Sequence, residues 1–142
     1  MIRVHAIDHV VLRTEKVDEM VRFYSSVLGC EVERQLPPET GLTQLRAGNS
    51  LIDIVSVDSH LGRAGGGAPS GSENTLDHFC LQIEPISETH LLDWLRSMGV
   101  EHGDFEERYG AEGFGPSVYI KDPDGNTVEL RSHRREQGGK NP

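Results

Sequence analysis

The alternation of apolar and polar positions divides the chain into two similar halves. The first half begins with an apolar strand at Ile7–Leu12, and an amphipathic helix follows at Val17–Leu28. The second half begins with a strand at Phe79–Ile83, and a helix follows at Ser87–Met98 with Ser87 as its N-cap. The apolar positions of this helix are Leu91, Leu92, Trp94 and Leu95, and we expect Trp94 on its core face. Three strand-like segments come after each helix, so the order βαβββ occurs twice. These segments are Cys30–Gln35, Thr43–Ala47, Leu51–Val57, Val100–Arg108, Ser117–Lys121 and Thr127–Arg131.

Glycine-rich stretches separate the elements and set the expected boundaries. Gly29 and Gly99 stand where the two helices should end. We predict a first module at 1–57, a glycine-rich linker or loop at 58–76, a second module at 77–132 and a disordered tail at 133–142. Residues 109–116 form a second glycine-rich loop in this interpretation. Internal duplication of this kind indicates one α+β domain, about 5–132, built from two modules around a pseudo-twofold axis.

Charge and composition exclude several classes of partner. The chain of 142 residues has 14 basic and 23 acidic side chains, a net charge of −9 that would repel a phosphate backbone. We therefore expect no nucleic-acid partner. The sequence contains no apolar stretch of membrane-spanning length, and its first ten residues lack a secretory h-region. It thus predicts a cytoplasmic protein without a membrane partner. Cys30 and Cys80 lie in apolar runs and are predicted to be buried free thiols.

Two histidines and two acids occupy matching places in the repeat. His9 and His78 each follow an aspartate at the first strand of their module. Asp53 and Glu129 each lie between apolar neighbours in the last strand, where a carboxylate without a partner is costly to bury. This pattern predicts one divalent metal ion, since imidazole and carboxylate ligands suit zinc, nickel, iron, manganese and cobalt. Asp53 has the shorter side chain and can instead act as a base or bind through water.

Several of these residues carry a resemblance to a known family. His9, the pairs Phe23-Tyr24 and Leu28-Gly29, His78, and the segment Tyr119–Leu130 with its Asp-Pro-Asp-Gly-Asn turn resemble the vicinal oxygen chelate superfamily over residues 5 to about 132. The family includes glyoxalases, bleomycin and fosfomycin resistance proteins and extradiol dioxygenases. Its fold is an open cup of two βαβββ modules around a metal. The resemblance places the metal ligands at His9, His78 and Glu129, with Asp53 at the fourth position, and implies a homodimer.

The resemblance implies a metal-dependent lyase or isomerase similar to lactoylglutathione lyase. Its substrate would be a small oxygenated metabolite chelated through vicinal oxygens, with Glu129 or Asp53 moving a proton. Arg13 matches an arginine that holds a glutathione carboxylate in glyoxalase I, although it can also be a surface residue. Ser117 and Tyr119 match positions that fosfomycin-modifying relatives use for the phosphonate, or are ordinary strand residues.

Other activities of the same family stay open as alternatives. One is an extradiol-type dioxygenase, in which the two histidines and Glu129 would hold iron(II). Another is a fosfomycin-modifying transferase. An alternative of a different class is a non-catalytic, drug-binding protein similar to bleomycin resistance proteins, which needs no metal. Substitution of His78 separates these classes, because it should abolish metal-dependent activity and spare metal-free binding.

Overall fold

The computed structural model describes residues 1–70 and 75–134. The chain divides into two compact units, 1–73 and 74–142. Each unit has one four-stranded mixed sheet with few helices, which confirms the α+β prediction of two βαβββ modules. Most of the tail predicted at 133–142, and part of the linker predicted at 58–76, lie outside the described residues. None of the described helices combines the length and apolar character needed to cross a membrane.

The first module places its first and last strands side by side. Its sheet has the order β1-β4-β3-β2, in which β1 is parallel to β4 and the other pairs are antiparallel. The elements are β1 at His9–Thr14, α1 at Val17–Arg22, β2 at Glu31–Gln35, β3 at Leu42–Ala47, β4 at Ser50–Ser56 and α2 at His60–Arg63. A π-helical turn at Phe23–Val27 extends α1.

One face of this sheet forms the hydrophobic core of the module. Leu12, Leu45, Ile52 and Ile54 are buried on that face, as strand alternation requires. The helical segment adds three more buried side chains, Met20, Phe23 and Tyr24. The helix predicted at Val17–Leu28 is therefore correct in place. It changes to π-helical bonding at Phe23, and Gly29 follows with a φ of 76°.

The second module repeats this arrangement. Its sheet has the order β5-β8-β7-β6, again with the first and last strands parallel. The elements are β5 at Phe79–Ile83, α3 at Glu88–Ser97, β6 at Glu106–Gly110, β7 at Gly113–Lys121 and β8 at Thr127–Ser132. Ser87 caps α3 as predicted, because its side chain accepts a hydrogen bond from the backbone N–H of His90. The core contains Leu91, Leu95, Val118, Ile120, Val128 and Leu130.

Four details of the second module differ from the sequence predictions. The strand predicted at Val100–Arg108 begins only at Glu106, as β6 at Glu106–Gly110. The glycine-rich stretch 109–116 is mostly strand: β6 runs to Gly110 and β7 starts at Gly113, so only residues 111–112 form a turn, with Tyr109 paired to Phe114. Its glycines leave room for the side chain of Arg131, whose guanidinium lies against Gly110. Trp94, predicted to be in the core, is 44% exposed because α3 buries Leu91 and Leu95 instead. Cys80, predicted to be buried, is exposed, whereas Cys30 is buried as predicted.

The short helix α2 lies inside the segment predicted as a linker. Ser59 caps it by accepting a hydrogen bond from the N–H of Gly62 at 3.1 Å. Gly62 is buried and packs directly against the main chain at Ser56, the end of β4. Glycine is therefore required at position 62, because any Cβ atom there would clash with the main chain of Ser56.

Replacing Gly62 with alanine is expected to destabilise the protein by about 1–3 kcal/mol, the usual cost of overpacking. The new methyl group would clash with the Ser56 carbonyl, so α2 or the end of β4 must move. Gly67→Ala is the control, because a Cβ there meets nothing within 4 Å. Urea unfolding measures both variants. Equal stability of the two would contradict this packing.

Candidate metal centre

The second module brings one histidine and one carboxylate into contact. His78 lies just before β5, and Glu129 lies in β8, which pairs with β5. The Nε2 atom of His78 is 3.1 Å from Oε1 of Glu129. Glu129 is only 6% exposed and projects from the face opposite to Val128 and Leu130. Two potential ligands thus meet where the first and last strands of the module run parallel.

The aspartate before His78 orients its ring. Nδ1 of His78 is 2.7 Å from the carboxylate of Asp77, so the other ring nitrogen is directed at Glu129. The side chain of His78 also contacts the ring of Tyr119 edge to face, at a centroid distance of 5.2 Å. A carboxylate on the far nitrogen is the usual support for a histidine that binds a metal through its second nitrogen.

The first module repeats this orientation at His9. Its Nδ1 atom is 2.7 Å from the carboxylate of Asp8. Asp53 stands in β4 beside Val11, two positions further along β1 than His9. The hydrogen bond that the His9 ring donates to the Asp8 carboxylate raises the pKa of His9 above its ordinary value; partial desolvation opposes this, and the charge of Asp53 adds to the increase.

Replacing Asp8 with asparagine is expected to lower the pKa of His9 in the metal-free protein. The raised pKa means that protonated His9 stabilises the fold below its unfolded-state pKa, and this stabilisation is lost as pH rises through the folded-state pKa. The variant should therefore lose stability mainly at acidic pH. An NMR titration of the His9 ring measures the pKa. Asp18→Asn, an exposed change in α1, is the control. An unchanged His9 pKa in Asp8→Asn would refute the assignment.

Asp53 has an unsatisfied oxygen. The residue is 4% exposed, and its Oδ2 accepts a hydrogen bond of 3.2 Å from the side-chain amide of Gln44. The amide oxygen of Gln44 accepts in turn from Arg34. Oδ1 of Asp53 is buried, and no donor in the described part of the chain reaches it. A buried carboxylate oxygen without a donor is costly, and a cation is a partner that fits it.

The donor set fits a divalent metal ion, but the described residues present it as separate pairs. Across 1–70 and 75–134, no three His, Cys, Asp or Glu side chains are grouped so as to hold a metal ion. Within the second module, His78 contacts Glu129. Within the first, the charge of Asp53 contributes to the raised pKa of His9. Two oriented imidazoles and two buried carboxylates are ligands that zinc, nickel, iron and manganese accept.

The three residues expected to bind substrate have different surroundings. Arg13 donates from Nε to the Gly62 carbonyl at 3.0 Å and from Nη2 to the carbonyls of Gly66 and Gly67, at 2.6 and 3.1 Å. Its guanidinium thus holds the glycine-rich segment after α2. Tyr119, in contrast, touches His78. Ser117, two positions earlier on β7, is completely buried.

Two arginines next to Ser117 were not predicted as site residues from the sequence. The Arg108 guanidinium lies 4.1 Å above the ring of Tyr119, and Nη1 donates to the carbonyl and hydroxyl of Ser117 at 2.7 and 3.0 Å. Arg131 is 7% exposed and donates from Nη2 to the Gly113 carbonyl at 3.0 Å. The sequence could have indicated Arg131, because a residue two positions after Glu129 in a strand lies on the same face as Glu129.

Cys80 lies beside Glu129 in the paired strands. Although the residue is exposed, partial desolvation of the thiol raises its pKa to about 11, and the charge of Glu129 contributes. The group is therefore a neutral thiol at physiological pH and a poor nucleophile.

Two βαβββ modules, each with a histidine at its first strand and a buried acid in its last, define a duplicated α+β protein. The chain belongs to the Glyoxalase/Bleomycin resistance protein/Dioxygenase superfamily, whose family model matches residues 6–130. The resemblance found in the sequence is thereby confirmed.

Solved structures with the same fold come from several sources. An integron cassette protein from the mobile metagenome of V. cholerae has 22% sequence identity and a TM-score of 0.77, with 94% of this chain and 99% of that one covered. Lactoylglutathione lyase from Agrobacterium tumefaciens has 24% identity and a TM-score of 0.63, covering 88% and 91%. The fosfomycin resistance protein FosX from Mesorhizobium loti has 14% identity and a TM-score of 0.65, covering 93% and 95%. At these identities the likeness concerns the fold.

Proposed function

We propose that this protein is a metal-dependent lyase or isomerase that acts on a small oxygenated metabolite through two neighbouring oxygens. The observation that carries the proposal is the repeated pair: in each module an aspartate orients a histidine, and a carboxylate on the last strand is buried nearby. Burying two carboxylates in a chain of this size is costly unless each has a partner. Membership of a family that includes lactoylglutathione lyase supports the same conclusion.

His9, His78, Glu129 and Asp53 are the proposed ligands of one divalent ion. The free oxygen of Asp53 and the direction of His78 Nε2 support this set. When bound, the metal supplies Lewis acidity, which lowers the cost of negative charge on a substrate oxygen. Zinc, nickel, iron, manganese and cobalt all accept this donor set. A homodimer is part of the proposal, as in many members of the family.

The carboxylates move the proton in this proposal. The carbon beside the substrate carbonyl gives up a proton to a carboxylate, which returns it to the product. Asp53 suits this role as the alternative to binding the metal, because its Oδ1 accepts no hydrogen bond among the described residues, whereas Oε1 of Glu129 already contacts His78. Tyr119 orients the ring of His78 and, with Ser117, belongs to the substrate-binding residues. Arg13 contributes to substrate binding by positioning the glycine-rich segment, to whose carbonyls at Gly62 and Gly66 it donates hydrogen bonds.

The proposal is tested by elemental analysis together with a proton-exchange assay. Purified protein should contain about one divalent ion per chain. The loaded protein should exchange the hydrogen beside the carbonyl of small 2-oxo and 2-hydroxy compounds in D₂O, as followed by NMR. The double variant His9→Ala, His78→Ala should lose both properties, whereas His90→Ala, an exposed histidine on α3, should keep them.

The competing interpretations give different results. Absence of metal even after divalent ions are added back would overturn the enzyme proposal and favour a metal-free drug-binding protein. Retained iron with oxygen-dependent turnover would favour a dioxygenase. Unchanged ligand binding after His78→Ala would also count against a metal-dependent enzyme.

A further inference from the structure

A groove lies at one end of the first module. It has a volume of about 660 Å³ and is lined by the start of α1, the segment between β2 and β3, and the end of β4. This volume is typical of sites for small molecules. Thr43 lines the groove from the core face of β3, whereas its neighbour Gln44 contacts Asp53 on the opposite face. The groove is therefore separate from the proposed metal ligands of this module.

The wall of the groove between β2 and β3 is fixed by main-chain hydrogen bonds. The N–H groups of Thr40 and Gly41 both donate to the carbonyl of Pro37 at 2.9 Å. From α2, the N–H of His60 donates to the carbonyl of Glu39, also at 2.9 Å. The wall is thus formed before any ligand arrives, so binding a ligand need not order it.

One buried hydroxyl in the groove has no partner. Thr43 is 4% exposed, and no hydrogen bond joins its side chain to any other described residue. Removing a hydroxyl from water without a new partner costs free energy. A ligand with a polar atom beside Thr43 would offset that cost, so this is the point of the groove at which a hydrogen bond to a ligand is expected.

The charge and the apolar surface of the groove define what else the ligand carries. Among the described residues of the lining, only Asp18 is charged, and no basic side chain in residues 1–70 and 75–134 pairs with it. Pro37, Pro38 and Leu42 supply apolar surface. A carboxylate beside apolar surface attracts a protonated amine on an apolar body and repels an anion.

We propose that the groove binds a small amphiphilic amine. The ammonium group of the ligand pairs with Asp18, and a hydroxyl at its other end forms a hydrogen bond with Thr43. The apolar body between these groups lies on Pro37, Pro38 and Leu42. This is a second ligand site on the chain, and it does not rest on the proposed function.

Tyramine is the probe for this site, because it combines an ammonium group, an aromatic ring and a hydroxyl. It is titrated into the purified full chain, and the amide NMR signals of Asp18, Gly41 and Thr43 should shift and saturate. The anion 3-(4-hydroxyphenyl)propionate has the same ring and hydroxyl with the opposite charge, and it should bind at least severalfold more weakly. Phenethylamine lacks the hydroxyl and should bind about two- to tenfold more weakly than tyramine, as expected for one hydrogen bond.

Replacing Thr43 with valine separates ligand binding from a structural role. Thr43→Val should weaken tyramine binding by about two- to tenfold and leave phenethylamine binding unchanged. Because the change removes an unpaired hydroxyl, it should not lower the urea midpoint, as the loss of a structural hydrogen bond would. Thr43→Ser keeps the hydroxyl and should retain most of the affinity for tyramine.

A second pair of variants separates the Asp18 contact from general electrostatics. Asp18→Asn should weaken binding of both amines by about two- to fivefold, the usual size for an exposed ion pair. Glu31→Gln removes the same charge at the far end of β2, outside the lining, and should leave binding unchanged. An equal loss of affinity in the two variants would mean that only net charge matters, and would overturn the inference.

Three further results would also overturn it. One is the absence of saturable shifts of the groove signals at millimolar tyramine, and another is equal binding of tyramine and the propionate. The third is loss of tyramine binding in His78→Ala, which would place the amine at the proposed metal centre instead. If His78→Ala binds tyramine as the original chain does, this site stands whether or not the metal proposal fails.

Discussion

Replacing Glu129 with glutamine is expected to weaken metal binding by at least about 100-fold and to abolish turnover. Loss of a group that only supports a ligand typically costs 10–100-fold in affinity, and loss of a charged ligand should cost at least as much. Glu129 is 6% exposed, and its Oε1 is the only carboxylate oxygen that the described part of the second module brings within hydrogen-bond distance of Nε2 of His78, at 3.1 Å. Competition with a fluorescent chelator measures the affinity.

The glutamine should leave the metal-free fold intact. Its side-chain amide occupies the same volume and can still hydrogen-bond His78. The urea midpoint of the metal-free variant should therefore be close to that of the original protein. Glu88→Gln, an exposed acid in the first turn of α3, controls for the change in net charge and should keep the metal. Full metal affinity in Glu129→Gln would remove Glu129 from the ligand set.

Replacing Leu45 with alanine is expected to destabilise the protein by about 2–5 kcal/mol, the usual range for a buried leucine. Leu45 is 0% exposed at the centre of β3, and its neighbour in β4 is Ile52, which is also buried. The cavity left behind cannot collapse easily, because strands on both sides fix the backbone. This loss is a large fraction of the stability of a small domain.

Val32 provides the control for this change. It is the cross-strand partner of Leu45 in β2 but is 45% exposed. Val32→Ala should therefore cost much less, because little apolar surface is lost from the interior. Chemical unfolding of both variants measures the difference in the free energy of unfolding. Similar costs for the two substitutions would contradict the core described for the first module.

The repeat and the histidine–acid pairs could be predicted because they follow from short-range periodicity. A histidine at the start of the first strand and an acid between apolar residues of the last strand are visible in the sequence. In the second module these two strands are parallel neighbours, and the contact between His78 and Glu129 follows from that pairing. The spacing of Leu91 and Leu95 likewise predicts which side of α3 is buried.

The sequence could not predict features that depend on strand register. Arg108 reaches Ser117 only because β6 and β7 pair through a stretch whose glycines suggested a loop. Those glycines accommodate the side chain of Arg131, a contact between residues far apart in the chain. Cys80 lies in an apolar run, but strand alternation puts it on the face of Glu129, away from the core.

Parallel pairing of the first and last strands has a consequence for how the protein folds. In each module, the histidine and the acid are separated by most of the module along the chain, and they come close only when β1 pairs with β4 or β5 pairs with β8. This is the pairing with the largest loop to close, so it is expected to form late. A partly folded chain then lacks the paired ligands, and a metal ion would bind only the completed fold. With the proposed ligand set, metal binding therefore stabilises the folded chain relative to the unfolded chain. The free energy of unfolding increases with the logarithm of the metal concentration.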